Sequence, residues 1–132
     1  MKMLADTSAL LAIHAKVDHN HAKSRAFLRD NPSARFVLTE VILAELVARL
    51  RPRVGAAKAA AVGRSYLVSA RFELIFVDVP VISRSLARLE QFADKRLSLT
   101  DCVSFEVMDR LGLKTAFTFD RDFRDCGYEM VP

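Results

Sequence analysis

Short apolar runs of strand character alternate with helical patterns along the whole chain, and this alternation restricts the fold more than any other feature. Residues 1–5 form a brief apolar run ending at Asp6, which predicts a buried first strand. Thr7 or Ser8 can cap a helix over residues 9–15. Asp18 or His19 opens a second helix, in which Ala22, Ala26 and Phe27 recur at helical spacing, and Asn31 with Pro32 ends it. Residues 35–38 read as a second strand. Thr39 then caps a helix to about Leu50, Pro52 interrupts it, and residues 54–70 supply a long Ala-rich helix. Residues 72–77 are rich in aromatic and β-branched side chains and predict a third strand. Pro80 fits the first turn of the next helix, with Asp78 as its cap and Ile82, Leu86, Leu89 and Ala93 as its apolar stripe. Thr100 caps a nearly all-apolar helix over residues 102–111, stopped by Gly112. Residues 116–119 and 128–131 complete the strands.

Strands that alternate with helices argue for a central, mostly parallel sheet of four to five strands, covered by helices on both faces in a three-layer α/β sandwich. The 132 residues make a single domain spanning 1–132, with no linker or repeat to divide them. No apolar run approaches the ~18 residues of a membrane span. Cys102 and Cys126 form no CxxC and no zinc set, so the chain reads as cytoplasmic.

Four acids stand where strands end or helices begin. They are Asp6 in Leu4-Ala-Asp-Thr-Ser8, Glu45 in Val41-Ile-Leu-Ala-Glu-Leu-Val47, Asp101 in Leu97-Ser-Leu-Thr-Asp-Cys102, and Asp120 in Phe117-Thr-Phe-Asp-Arg121. Each has a local explanation. Asp6 can cap a helix, Asp101 suits a helix first turn, Asp120 and Asp122 suit a turn, and Glu45 can pair with Arg49 four residues on. Their joint position argues for more, because ligand sites in such folds lie beyond the carboxyl ends of the strands. Carboxylates gathered there repel one another unless a cation joins them. His14, His19 and His21 lie within one segment without a partner elsewhere, so the donor set is all oxygen. Such a set selects Mg²⁺ or Mn²⁺ over zinc or copper. The net charge is +4, with 14 Arg and 6 Lys, and Arg forks match phosphate oxygens. An acidic metal pocket in a basic chain points to metal-dependent hydrolysis of a phosphodiester. Cleavage through the RNA 2′-hydroxyl would want paired His residues, which this spacing does not supply.

The runs Met3-Leu-Ala-Asp-Thr-Ser-Ala-Leu10, Thr39-Glu-Val-Ile-Leu-Ala-Glu45, Leu97-Ser-Leu-Thr-Asp-Cys-Val-Ser-Phe105 and Thr118-Phe-Asp-Arg-Asp-Phe123, with the closing Gly127-Tyr-Glu-Met-Val-Pro132, resemble those of PIN-domain proteins. The resemblance is strongest to the VapC-type toxin ribonucleases of toxin–antitoxin pairs, and it runs from end to end. It implies a catalytic, metal-holding set of Asp6, Glu45, Asp101 and Asp120, with Asp122 as an additional ligand and the hydroxyls of Thr7, Ser8 and Thr118 in support. It also implies Mg²⁺ or Mn²⁺ as cofactor, an RNA substrate cut to leave a 5′-phosphate, a homodimer and a VapB-type antitoxin. Two other readings fit the alternation. One is a PIN nuclease of RNA maturation. The other is a receiver-like signalling domain, against which Lys114 precedes the strand it should follow.

Overall fold

The computed structural model describes residues 1–132. Strand β1 (Lys2–Ala5) lies at the sheet centre, and its Met3, Leu4 and Ala5 are sealed from solvent, as a parallel strand covered on both faces requires. Helices α1 (Thr7–His14) and α2 (His21–Asp30) lead to β2 (Arg35–Thr39). Then α3 (Glu40–Val54) and α4 (Ala56–Leu67) form a packed pair before β3 (Phe72–Ile75). The chain continues through α5 (Val79–Gln91), α6 (Leu99–Leu111), β4 (Thr115–Phe117), the short α7 (Asp122–Asp125) and β5 (Glu129–Val131). All five strands run parallel in the order β3-β2-β1-β4-β5.

This order fixes where a ligand site can form. From β1 the chain winds outward through β2 to β3, then crosses back to place β4 and β5 on the other side of β1. The winding therefore reverses between β1 and β4, and a crevice opens there at the strands' carboxyl ends. Ala5 pairs with Phe117 in the last register position, and the Asp6 amide donates to the Phe117 carbonyl at 3.0 Å. Asp6 and Thr118 are thus the first residues past two adjacent strands.

Aromatic packing joins the layers. Phe36 stacks on Phe72 with ring centroids 4.6 Å apart, and Phe117 stacks on Phe27 of α2 at 4.9 Å. On the other side, Arg88 of α5 pairs with Glu106 at 3.0 Å and Asp109 at 2.8 Å, both on α6, holding those two helices together.

Several boundaries differ from those read in the sequence. Pro52 does not interrupt α3, which continues to Val54. The proline falls in the last turn, where the Ala48 carbonyl it leaves without a donor is on an exposed residue and open to water. Arg53 Nη1 donates to the Arg49 carbonyl at 2.8 Å, and Gly55, with φ of 87°, makes the actual break. Consequently α4 is shorter than the 54–70 segment expected. β3 ends at Ile75 because the Val77 amide is drawn to Glu40, whose two oxygens accept it at 3.0 and 3.2 Å. β4 ends at Phe117 rather than at residue 119. Asp6 itself, not Thr7 or Ser8, caps α1, and Ser98 rather than Thr100 caps α6. Ser98 takes that place because Asp101 stands three residues on and completes a reciprocal capping box.

Candidate metal centre

The centre is built around Asp6, which is 4% exposed. Its Oδ2 accepts from Ser8 Oγ at 2.7 Å, Thr118 Oγ1 at 2.9 Å and the Ser8 amide at 3.3 Å. Its Oδ1 accepts nothing from the protein and keeps contact with solvent. The two hydroxyls lie 3.1 Å apart and brace the next loop as well. Ser8 Oγ accepts the Phe119 amide at 3.0 Å, and Thr118 Oγ1 accepts the Asp120 amide at 3.0 Å. Asp120 Oδ1 in turn accepts the Asp122 amide at 2.9 Å, opening α7.

Asp101 enters from the first turn of α6. The Ser98 amide donates to its Oδ2 at 3.0 Å while Ser98 Oγ accepts the Asp101 amide at 3.0 Å. Asp6, Asp101 and Asp120 therefore share one arrangement. In each, one carboxylate oxygen is fixed by protein donors and the other is left without any. One oxygen from each of Asp101, Asp120 and Asp122 falls within 4.8 Å of the others. Asp6 lies outside that group of three, bound to it through Thr118.

Glu45 stands at the rim. Thr7 Oγ1 donates to its Oε2 at 3.3 Å, and Arg49 reaches its Oε1 at 2.6 Å. The i,i+4 pair read from the sequence is real, yet it does not carry Glu45 out to solvent, because α1 and α3 pack together and bring it against the residue that follows Asp6. All the acids singled out in the sequence thus lie at one end of the sheet, with Glu45 the farthest from being a free ligand. Asp78 is a helix cap, as expected, accepting the Val81 amide at 3.0 Å.

Burial, with crowding after it, weakens three of the acids, Asp6, Asp101 and Asp122. Loss of hydration raises the Asp6 carboxyl above the ordinary aspartate value, against the opposing hydrogen bonds of Ser8 and Thr118, and the charge of Asp120 raises it further. Burial pushes Asp101 up to about 6, with Asp6 and Asp120 adding repulsion. Asp122 is raised too, by burial first and then by Asp120 and Asp125. Protein donors alone do not balance this charge, and a divalent cation would.

The donor set fits a hard cation. Every group at the centre offers oxygen, while the imidazoles are occupied elsewhere: His14 with Tyr66 at 2.8 Å, His21 with the Ala12 carbonyl at 2.7 Å and His19 with Asn20 at 3.3 Å. Ser98 is the supporting residue that the sequence reading passed over. Its signal was present, since Ser followed three residues later by an acid before an apolar run is a capping-box pattern.

A doubly wound parallel sheet with carboxylates at its switch point is the architecture of an α/β domain whose ligand site lies beyond the carboxyl ends of its strands. The PIN domain family model matches residues 3–127, and the chain belongs to that family. Among solved structures it is similar to VapC20 of Mycobacterium tuberculosis, a Sarcin-Ricin loop cleaving toxin, with 24% identity, TM-score 0.90, and coverage of 98% of this chain and 99% of that one. It is also similar to VapBC2 from Rickettsia felis bound to a promoter DNA fragment, at 15% identity and TM-score 0.68, covering 98% and 97%. DNA-bound VapBC from Salmonella typhimurium gives 18% identity and TM-score 0.67, covering 98% and 96%. No curated protein matches the chain by sequence.

Proposed function

We propose that this chain is a divalent-cation-dependent endoribonuclease and the toxin of a VapBC-type toxin–antitoxin pair. The observation that carries the reading is the convergence of Asp101, Asp120 and Asp122 within 4.8 Å, beside a buried Asp6 with one oxygen free. Membership of the PIN family and likeness to VapC structures support it.

In this account Asp6, Asp101 and Asp120 would hold Mg²⁺ or Mn²⁺, with Asp122 as an additional ligand at the edge. When bound there, such a cation would stabilise charge on a phosphoryl group and lower the pKa of water at neutral pH. The chain's own residues orient and exclude. Ser8 and Thr118 fix Asp6 Oδ2 and so aim Oδ1, and the capping box does the same for Asp101. Glu45 Oε2, held only by Thr7, is placed at the rim to take a proton from attacking water. With no imidazole at the centre, attack by water is favoured over attack by the 2′-hydroxyl, and a 5′-phosphate end is what the resemblance to VapC-type ribonucleases implies.

The substrate is single-stranded or loop RNA, in keeping with the basic charge and the Sarcin-Ricin loop cut by the toxin VapC20. The partners are a VapB-type antitoxin, in line with the two VapBC assemblies, and a second copy of the chain. Phe76 and Val79, 73% and 80% exposed beside the edge strand β3, offer apolar surface for that dimer. No helix is long and apolar enough to cross a membrane, and a role in blocking translation would place the chain in the cytoplasm.

Cleavage of labelled RNA with Mg²⁺ or Mn²⁺, with EDTA, and by Asp6→Asn tests the reading. Cleavage should need the cation and Asp6 and should yield 5′-phosphate ends. Chelator-resistant cleavage, or full activity of Asp6→Asn, would refute it.

A further inference from the structure

An acidic bowl repels the polyanion it is meant to cut, so something beside it must offset that repulsion. On α3, Glu45, Arg49 and Arg53 stand at i, i+4 and i+8 and therefore line one face. The contacts follow that face: Arg49 reaches back to Glu45 at 2.6 Å, and Arg53 Nη1 reaches the Arg49 carbonyl at 2.8 Å. The stripe leads from the rim of the centre into a cleft lined by His14, Lys16, Arg53 and Lys58, with no carboxylate in its wall. None of Lys16, Arg53 and Lys58 has an acidic oxygen within 4.0 Å. Asp18, the acid nearest Lys16 in sequence, accepts the Asn20 amide at 2.8 Å and makes no ion pair with Lys16.

Helix dipoles explain part of this charge. Arg51 and Arg53 sit in the last turn of α3, where cations are favoured. Lys58 is different. It lies in the first turn of α4, where the dipole disfavours a cation, and it faces a cleft already holding Arg53 and Lys16. Concentrated like charge of this kind costs stability unless an anion lies against it.

We propose that Arg49, Arg53, Lys58 and Lys16 form a track for the RNA backbone, leading the strand away from the metal centre on one side of the scissile phosphate. The inference rests on the nuclease reading above and adds a direction to it. From Glu45 to Arg53 the helix rises by about 12 Å, a length that a few nucleotides of extended RNA cover. Arg49 keeps N–H donors free beyond the one that Glu45 uses, so it can meet the first flanking phosphate while still positioning Glu45. Continuity with the rim favours RNA over an acidic peptide as the occupant.

The test measures RNA binding against salt, in an Asp6→Asn background that blocks cleavage, by fluorescence anisotropy with a labelled single-stranded RNA. Each lost phosphate contact on a single strand should reduce the slope of log K against log salt by about 0.7, so Arg53→Ala with Lys58→Ala should reduce it by about 1.4. The same pair should weaken binding about tenfold at moderate salt. Lys58→Glu, at an exposed position, should weaken it further, and circular dichroism reports whether each variant is folded. Lys114→Ala, away from the track, should leave the slope as it was. Folded track variants that bind RNA with an unchanged slope would overturn the track while leaving the nuclease reading in place. Variants that keep RNA binding but lose poly-glutamate binding would reassign the cleft to an acidic peptide. A parent protein that neither binds nor cuts any RNA would overturn both readings together.

Discussion

Thr118 donates its hydroxyl to Asp6 Oδ2 at 2.9 Å across 112 residues of sequence, joining the ends of two neighbouring strands. Thr118 Oγ1 itself accepts the Asp120 amide, so one buried hydroxyl sets both Asp6 and Asp120. Replacing Thr118 with Val keeps the shape and removes both bonds. The Asp120 amide then loses its acceptor, which costs about 1–3 kcal/mol. Denaturant unfolding should show that loss, and cleavage should fall through kcat more than through KM. Wild-type stability and turnover would mean that Thr118 does not organise the centre.

Asp101→Asn should abolish cleavage and raise the stability of the metal-free protein at neutral pH. The substitution removes one crowded charge, while its amide oxygen can still accept from the Ser98 N–H. Thermal melts with EDTA should rise by a few degrees relative to wild type. A lower melting temperature would show that the carboxylates are not in mutual strain.

Stability without metal should depend on pH in a defined direction. Asp101 titrates near 6 in the folded protein and near 3.8 in its ordinary state, and Asp6 is shifted the same way. Between those values the folded chain binds more protons than the unfolded one, so stability falls as pH rises through that window. Below it the contribution is fully present; above about 6 it is lost. Melting curves from pH 4 to 7 should therefore show this decline with EDTA and a smaller one with Mn²⁺. An equal decline with and without the cation would contradict the assignment.

Ser98→Ala should cost about 1 kcal/mol through the lost cap. Because Ser98 holds the backbone that carries Asp101, cation affinity should fall as well. A stability loss with unchanged affinity would restrict Ser98 to the helix alone.

Much of this molecule is legible in its sequence. Strand and helix alternation predicts the parallel sheet, because burial on both faces leaves short runs such as Met3, Leu4 and Ala5 with no polar member. The acids are legible because a local explanation covers each one singly but not their joint position at strand ends and helix starts. Pro52 reads as a break in the sequence, but a proline near a helix end removes only a hydrogen bond that water can replace. Either Ser98 or Thr100 offers a capping hydroxyl, and the acid three residues on, Asp101, singles out Ser98. Arg49, Arg51 and Arg53 stand close together in the sequence, but the direction of the cation stripe depends on how α1, α3 and α4 pack. Periodicity along one helix does not contain that information.

The central claim is that Asp6, Asp101, Asp120 and Asp122 form one hard-cation site, and Mn²⁺ titration followed by electron paramagnetic resonance tests it most directly. At pH 7 the wild-type chain should bind Mn²⁺ in competition with Mg²⁺, and Asp120→Asn should bind it at least about tenfold more weakly, a difference of ~1.4 kcal/mol. Equal Mn²⁺ affinity in the two proteins would contradict the account.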